Sequence, residues 1–144
     1  MITVLGRLYR AVLFVISSRK NQPPSGILKK KEKGADPMMI KNFNEEQFQQ
    51  AIASGDVVLV DFWAPWCGYC RRIEPVYGKI AQQYGDRMIV AKVNIDEQPR
   101  LADMERIEVI PTLVLYRDGQ ALGSIVAPQS KAVIDDFIRE KLEA

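Results

Sequence analysis

Cys67 and Cys70 are the chain's two cysteines, set in Val60–Cys70 (VDFWAPWCGYC) beside Trp63 and Trp66, in 144 residues without a histidine. Thiols at i and i+3 share one face of a helical turn, and that spacing meets the distance a disulfide requires without moving the backbone. The pair follows a run that reads as a strand and precedes one that reads as a helix. With Cys67 at the helix start, the unpaired N–H groups and the dipole favour its thiolate, which is the reactive form of the side chain. A histidine is then unnecessary for activation. Arg71 and Arg72 follow at once, and they either add positive field or lie solvated. Asp61 is a second candidate: a carboxylate inside the apolar run VVLVDFW is costly to bury ionised, so its proton affinity is expected to rise. The chemistry on offer is thiol–disulfide exchange. Two cysteines that merely pack side by side are the plain alternative.

Other chemistries fit poorly. Structural zinc takes four Cys or His ligands, so two Cys and no His would require a second copy of the chain. No bound metal is expected. There is no Gly-rich dinucleotide or phosphate fingerprint, so no bound cofactor is expected and electrons would arrive through a partner. Nothing points to nucleic acid. Two cysteines also make no disulfide framework, so the fold must stand on packing, for which 47% hydrophobic content in 144 residues suffices.

The elements that must position these groups can be read from periodicity. Met39–Phe43 is a short strand candidate, and Asn44 with Gln47 forms a capping-box pattern opening a helix that carries Phe48, Ala51 and Ile52. Gly55-Asp56 ends it. Val57–Trp63 is nearly all apolar, as a strand covered on both faces requires. A helix from Cys67 to about Tyr84 carries Ile73, Val76, Tyr77, Ile80 and Ala81, with Pro75 inside it as an expected kink. Met88–Ile95 reads as a second central strand and residues 98–105 as a short helix. Thr112–Tyr116 and Ala121–Val126 flank Asp118-Gly119, a strong hairpin signal. Ser130 caps a last helix with Val133, Ile134, Phe137, Ile138 and Leu142 on one side. The order βαβαβαββα predicts an α/β fold: a central mixed sheet with helices on both faces.

Residues 1–37 differ from all of this. They hold eight Lys/Arg and two acids, a net +6, which leaves twelve basic and sixteen acidic residues, a net −4, for the rest. The apolar run Ala11–Ile16 has six residues, far too few to span a bilayer, and no clear cleavage site marks a secretory signal. Three readings remain open: a basic arm on an anionic membrane surface, a tail with a Pro/Ser/Gly linker at Gln22–Gly26, or an upstream extension of a protein that starts at Met38 or Met39. The last is favoured. The division expected is 1–37 as extension and 38–144 as domain.

From about Met39 onward the chain resembles the thioredoxin family. The likeness rests on Val60–Cys70, then VAKVNID at Val90–Asp96, IPT at Ile110–Thr112 and DG at Asp118-Gly119, in that order. It implies a thioredoxin fold and protein-disulfide reductase activity. By position, Cys67 matches the exposed nucleophile, Cys70 the resolving cysteine, and Asp61 the proton acceptor that helps Cys70 ionise, with Lys92 near it. Trp66 matches the indole beside the active-site loop and Trp63 the one beneath it. Pro111 matches the family's cis-proline, and the Ile110 backbone would pair with an extended substrate segment. Gly68, Tyr69 and Ala127 complete the expected substrate-contacting set. The resemblance also implies disulfide-containing proteins as substrates, a thioredoxin reductase drawing on NADPH as electron source, a monomer, and a cytoplasmic setting.

Two departures bear on that expectation. Tyr69 stands where reducing members of the family usually carry proline, a change expected to make the pair more oxidising; Cys-Gly-Tyr-Cys is also familiar from periplasmic disulfide isomerases. Ala127-Pro128 stands where the substrate-facing loop commonly has glycine, so a side chain and a ring would narrow the groove. The expected activity is reduction of protein disulfides. The alternatives are an isomerase or oxidant outside the cytoplasm, with residues 1–37 as address or membrane anchor, and a redox-silent binding module.

Overall fold

A computed structural model describes residues 40–144 of the chain. The expectations for residues 1–37, and Met39 at the start of the first strand, lie outside the described residues. The elements that follow are β1 Lys41–Asn42, α1 Glu45–Ala53, β2 Val58–Trp63, α2 Gly68–Tyr84, β3 Ile89–Asn94, α3 Pro99–Met104, β4 Thr112–Arg117, β5 Gln120–Val126 and α4 Lys131–Glu143. They come in the order expected. The first strand is shorter than its pattern suggested, since only Lys41 and Asn42 pair, with Ala91 and Lys92 of β3.

The sheet runs β1-β3-β2-β4-β5. β2 and β3 are parallel, and β4 lies antiparallel to both β2 and β5. β2 is therefore central and Val58 to Phe62 are buried without a break, which is why its sequence does not alternate. Its side chains still alternate between faces. Leu59 packs with Ile73, Tyr77 and Ile80 of α2 and with Ile134 and Phe137 of α4. Val58, Val60 and Phe62 pack on the other face with Phe48 of α1 and Leu101 of α3. Phe48 is the anchor there, its ring edge-on to Phe62 at 6.4 Å and to Tyr116 at 5.4 Å between centroids.

Local chemistry sets the element ends. Asn44 Oδ1 accepts the Gln47 N–H at 2.8 Å and Gln47 Oε1 accepts the Asn44 N–H at 2.9 Å, closing the capping box of α1. Asp118 and Gly119 both take positive φ, 54° and 82°, which is the mirror-image turn that suits the twist of a two-residue hairpin. The Ser130 hydroxyl accepts the Val133 N–H at 3.3 Å and starts α4. Ile134, Phe137 and Ile138 of α4 are buried, but Val133 is 40% exposed. The expected apolar stripe was thus too wide by one residue: Val133 sits about 100° round the helix from Ile134.

Candidate active site

All the groups singled out in the sequence fall at one end of β2, β3 and β4, or on the helix that leaves it. β2 ends at Trp63 and a short loop leads to α2. Cys67 is the N-cap of α2, with extended backbone (φ −89°, ψ 111°), and its Sγ accepts the Cys70 N–H at 3.1 Å. An acceptor is what the open first turn of a helix requires, and here it is sulfur. Cys67 and Cys70 are joined in a disulfide with Cα atoms 5.3 Å apart. Both are buried to over nine-tenths, so in the disulfide form Cys67 is not the exposed sulfur that the resemblance implied. Gly68 is exposed and Tyr69 half-buried between them.

Two arginines brace the loop. Arg71 Nη1 donates to the Pro65 carbonyl at 2.7 Å. The Arg72 guanidinium lies 5.4 Å from the centre of the Tyr69 ring. Trp66 is 67% exposed, and its indole N–H donates to the Asp96 carboxylate at 3.0 and 3.2 Å.

Asp61 is fully enclosed, 2% exposed, with one carboxylate oxygen buried and without a hydrogen-bond partner. It is no strand end reaching solvent. Burial pushes its proton affinity up to a pKa of about 7, against the pull of the Lys92 ammonium and with a smaller push from Glu74. Register pairs Asp61 with Lys92 across β2 and β3, and alternation puts both on the face covered by α2. Lys92 is largely buried: its Nζ donates to Glu74 Oε2 at 3.0 Å and stands 4.2 Å from the Trp63 ring centre. Deeper under α2, the Tyr77 hydroxyl lies 3.0 Å from the Leu59 carbonyl and 2.7 Å from the Ala91 carbonyl, so it ties α2 to β2 and β3 beside Asp61.

The third wall is the approach to β4. The Ile110–Pro111 peptide bond is cis, and Pro111 is buried. Phe62 pairs with Thr112, so Pro111 comes level with Trp63 at the sheet end from which the cysteine loop departs. The Ala127 N–H donates to the Pro111 carbonyl at 2.8 Å, and Ala127 takes φ 46° to do so. The Tyr69 hydroxyl reaches the Pro128 carbonyl at 3.1 Å. Around this wall Val109 and Val126 are each more than half exposed, so the rim is apolar. Ile110 itself is partly exposed.

The thioredoxin family model matches residues 39–140. The chain belongs to the thioredoxin family. Thioredoxin 1 of Synechococcus elongatus is 45% identical over 94 residues, which cover 65% of this chain and 88% of that protein. Thioredoxin 1 of a Nostoc species is 42% identical over 99 residues, covering 68% and 92%. A solved mutant thioredoxin from Halobacterium salinarum superimposes with a TM-score of 0.66 at 33% identity, over 73% of this chain and 92% of its own. A thioredoxin with its cysteine pair in place is a thiol–disulfide oxidoreductase that reduces protein disulfides, and the redox-silent reading falls.

The structure thus brings Cys67, Cys70, Gly68 and Tyr69 onto one loop and helix start, sets Asp61 and Lys92 beneath that helix, and places Ile110, Pro111 and Ala127 together on the neighbouring wall. Sequence reasoning missed Glu74 and Asp96 as site residues, and it placed Pro128 at the groove without its bond to Tyr69. Glu74 carried one signal, its position four residues after Cys70 on the same helix face. Asp96 and Pro128 carried none as partners, because their bonds to Trp66 and Tyr69 span 30 and 59 residues.

Proposed function

We propose that this member of the thioredoxin family is a general dithiol reductant, with Cys67 as nucleophile, Cys70 as resolving thiol and Asp61 as the base for Cys70. The observation that carries the reading is a buried carboxylate of raised proton affinity on the sheet face under the helix that holds both cysteines. The Cys67 thiolate attacks one sulfur of a substrate disulfide, and the first substrate thiolate leaves. Asp61 takes the Cys70 proton, the Cys70 thiolate attacks Cys67 Sγ, and the second substrate thiolate leaves. Two electrons have then passed to the substrate and the Cys67–Cys70 disulfide has closed. Lys92 tunes Asp61. The groove of Trp66, Gly68, Tyr69, Ile110, Pro111 and Ala127 receives an extended substrate segment, whose backbone pairs with Ile110 as an added strand. A thioredoxin reductase using NADPH reopens the disulfide, the setting is the cytoplasm, the protein acts as a monomer, and residues 1–37 are an extension outside the 38–144 domain.

Cys70→Ser is expected to trap substrates as mixed disulfides on Cys67 in an extract, released by dithiothreitol. An extract that yields no such adducts would sink the assigned roles. One observation favours a second direction of electron flow: Tyr69 stands in the loop and is bonded to Pro128. The reduction potential decides between them. A value near roughly −270 mV belongs to a reductant, and one near about −180 mV to an isomerase working outside the cytoplasm.

A further inference from the structure

Among the described residues, Lys92 is the one cation whose charge bears on Asp61, yet its hydrogen bond goes elsewhere. Its Nζ donates to Glu74 Oε2 at 3.0 Å and rests 4.2 Å from the Trp63 ring centre, with only 11% of the side chain exposed. Asp61, its partner in strand register, keeps a buried oxygen without a hydrogen bond. An ammonium in so little water is held by what surrounds it, and here an acid and an indole face hold it. Glu74 is placed to do this by α2 itself. It comes four residues after Cys70, one turn further along the face that carries the resolving cysteine.

We propose that Glu74 is a positioning residue of the resolving step: by engaging the Lys92 ammonium, it keeps that charge from pairing with Asp61 and so preserves Asp61 as a base for the Cys70 proton. Among the described residues, few groups face Asp61. Lys92 comes from β3 and Glu74 and Tyr77 from α2, while β4 sets the apolar Leu113 opposite. Lys92 favours the ionised carboxylate and Glu74 opposes it. If Glu74 were neutral, its opposition would vanish and Lys92 would be free to turn to Asp61. Both changes acidify Asp61 and make it a poorer acceptor for a thiol proton. Lys92 also lines a surface depression with Phe43, Trp63 and Asn94.

The inference rests on the reading of Asp61 as the Cys70 base, so the experiment tests the two separately. Reduced full-length protein is mixed with oxidised glutathione, which loses its first thiolate to attack by Cys67. Acid-quenched samples then count the glutathionylated protein, and tryptophan fluorescence follows ring closure by Cys70. Closure rates are recorded across roughly pH 5 to 9 for wild type, E74Q, E74D and D61N. E74Q is expected to move the midpoint of the closure profile to lower pH by roughly one unit, with E74D restoring most of it and the Cys67 attack rate unchanged. A merely structural role would slow closure at every pH and leave the midpoint in place. If D61N closes at the wild-type rate and with the wild-type profile, Asp61 is not the base and the proposal falls with it. If D61N abolishes the profile while E74Q leaves the midpoint unmoved, Asp61 keeps its role and Glu74 has none.

Discussion

Asp61 is the residue on which chemistry and stability meet, and the two demands conflict. Burial lifts its pKa from 3.8 to about 7. Between those values the folded protein holds a proton that the unfolded chain releases, so stability falls as pH rises through that window and levels off above it. At 1.36 kcal/mol per unit the penalty has a ceiling of about 4 kcal/mol. Asp61→Asn is therefore expected to raise the urea midpoint clearly at about pH 8 and hardly at all at about pH 4. An equal gain at both pH values would show that the substitution acts through packing and not through charge. The anomaly of Asp61 was plain in the sequence, because an acid amid VVLVDFW breaks an otherwise apolar run. Glu74 gave no comparable sign, since an acid on the exposed side of a helix looks the same whether or not its carboxylate reaches across to a strand. Trp66 and Asp96 are a similar case: thirty residues part them, and only folding reveals the bond.

Elements were legible where the chain's own neighbourhood decides them. The nearly all-apolar β2, the capping box of α1 and the Asp118-Gly119 turn each follow from a few adjacent residues, and each is where the sequence placed it. Sheet order and register were not legible, because β3 inserts between β1 and β2 through contacts far apart in the chain. The loop between β5 and α4 shows what local reading can still deliver. Ala127 holds φ 46°, a conformation suited to glycine, in order to donate its N–H to Pro111. A side chain in that region costs about 1–2 kcal/mol. Glycine would return about 0.5–1 kcal/mol of that through the greater freedom of the unfolded chain. The difference favours glycine, so Ala127→Gly is expected to stabilise the protein by roughly 0.5–1 kcal/mol in urea unfolding. A loss of stability instead would mean that the Ala127 methyl contributes packing worth more than its strain. That result would make the methyl group itself a wall of the groove.

On the scale of the molecule, the question is what residues 1–37 contribute. Among the described residues, the buried apolar core runs from Phe43 to Ile138, in two clusters that cover both faces of the sheet. The family match begins at residue 39, and two relatives are aligned over 88% and 92% of their own length by 65% and 68% of this chain. A sheet with both faces covered by helices from the same stretch has what a domain of this size needs to fold by itself. A chain that starts at Met38 is therefore expected to unfold at the same urea midpoint as the full protein and to reduce disulfides at the same rate. The charges supply the counter-argument, since residues 1–37 carry a net +6 and the remainder a net −4. Attraction between those charges would be strongest at low ionic strength and largely screened at physiological salt, where the Debye length is about 8 Å. The decisive comparison is thus the midpoint of both chains at low and at high salt. Coincident midpoints throughout would leave the basic segment free to serve as an address or a membrane-surface contact. A drop on truncation that disappears with added salt would mean that the segment leans on the acidic domain and contributes to its stability.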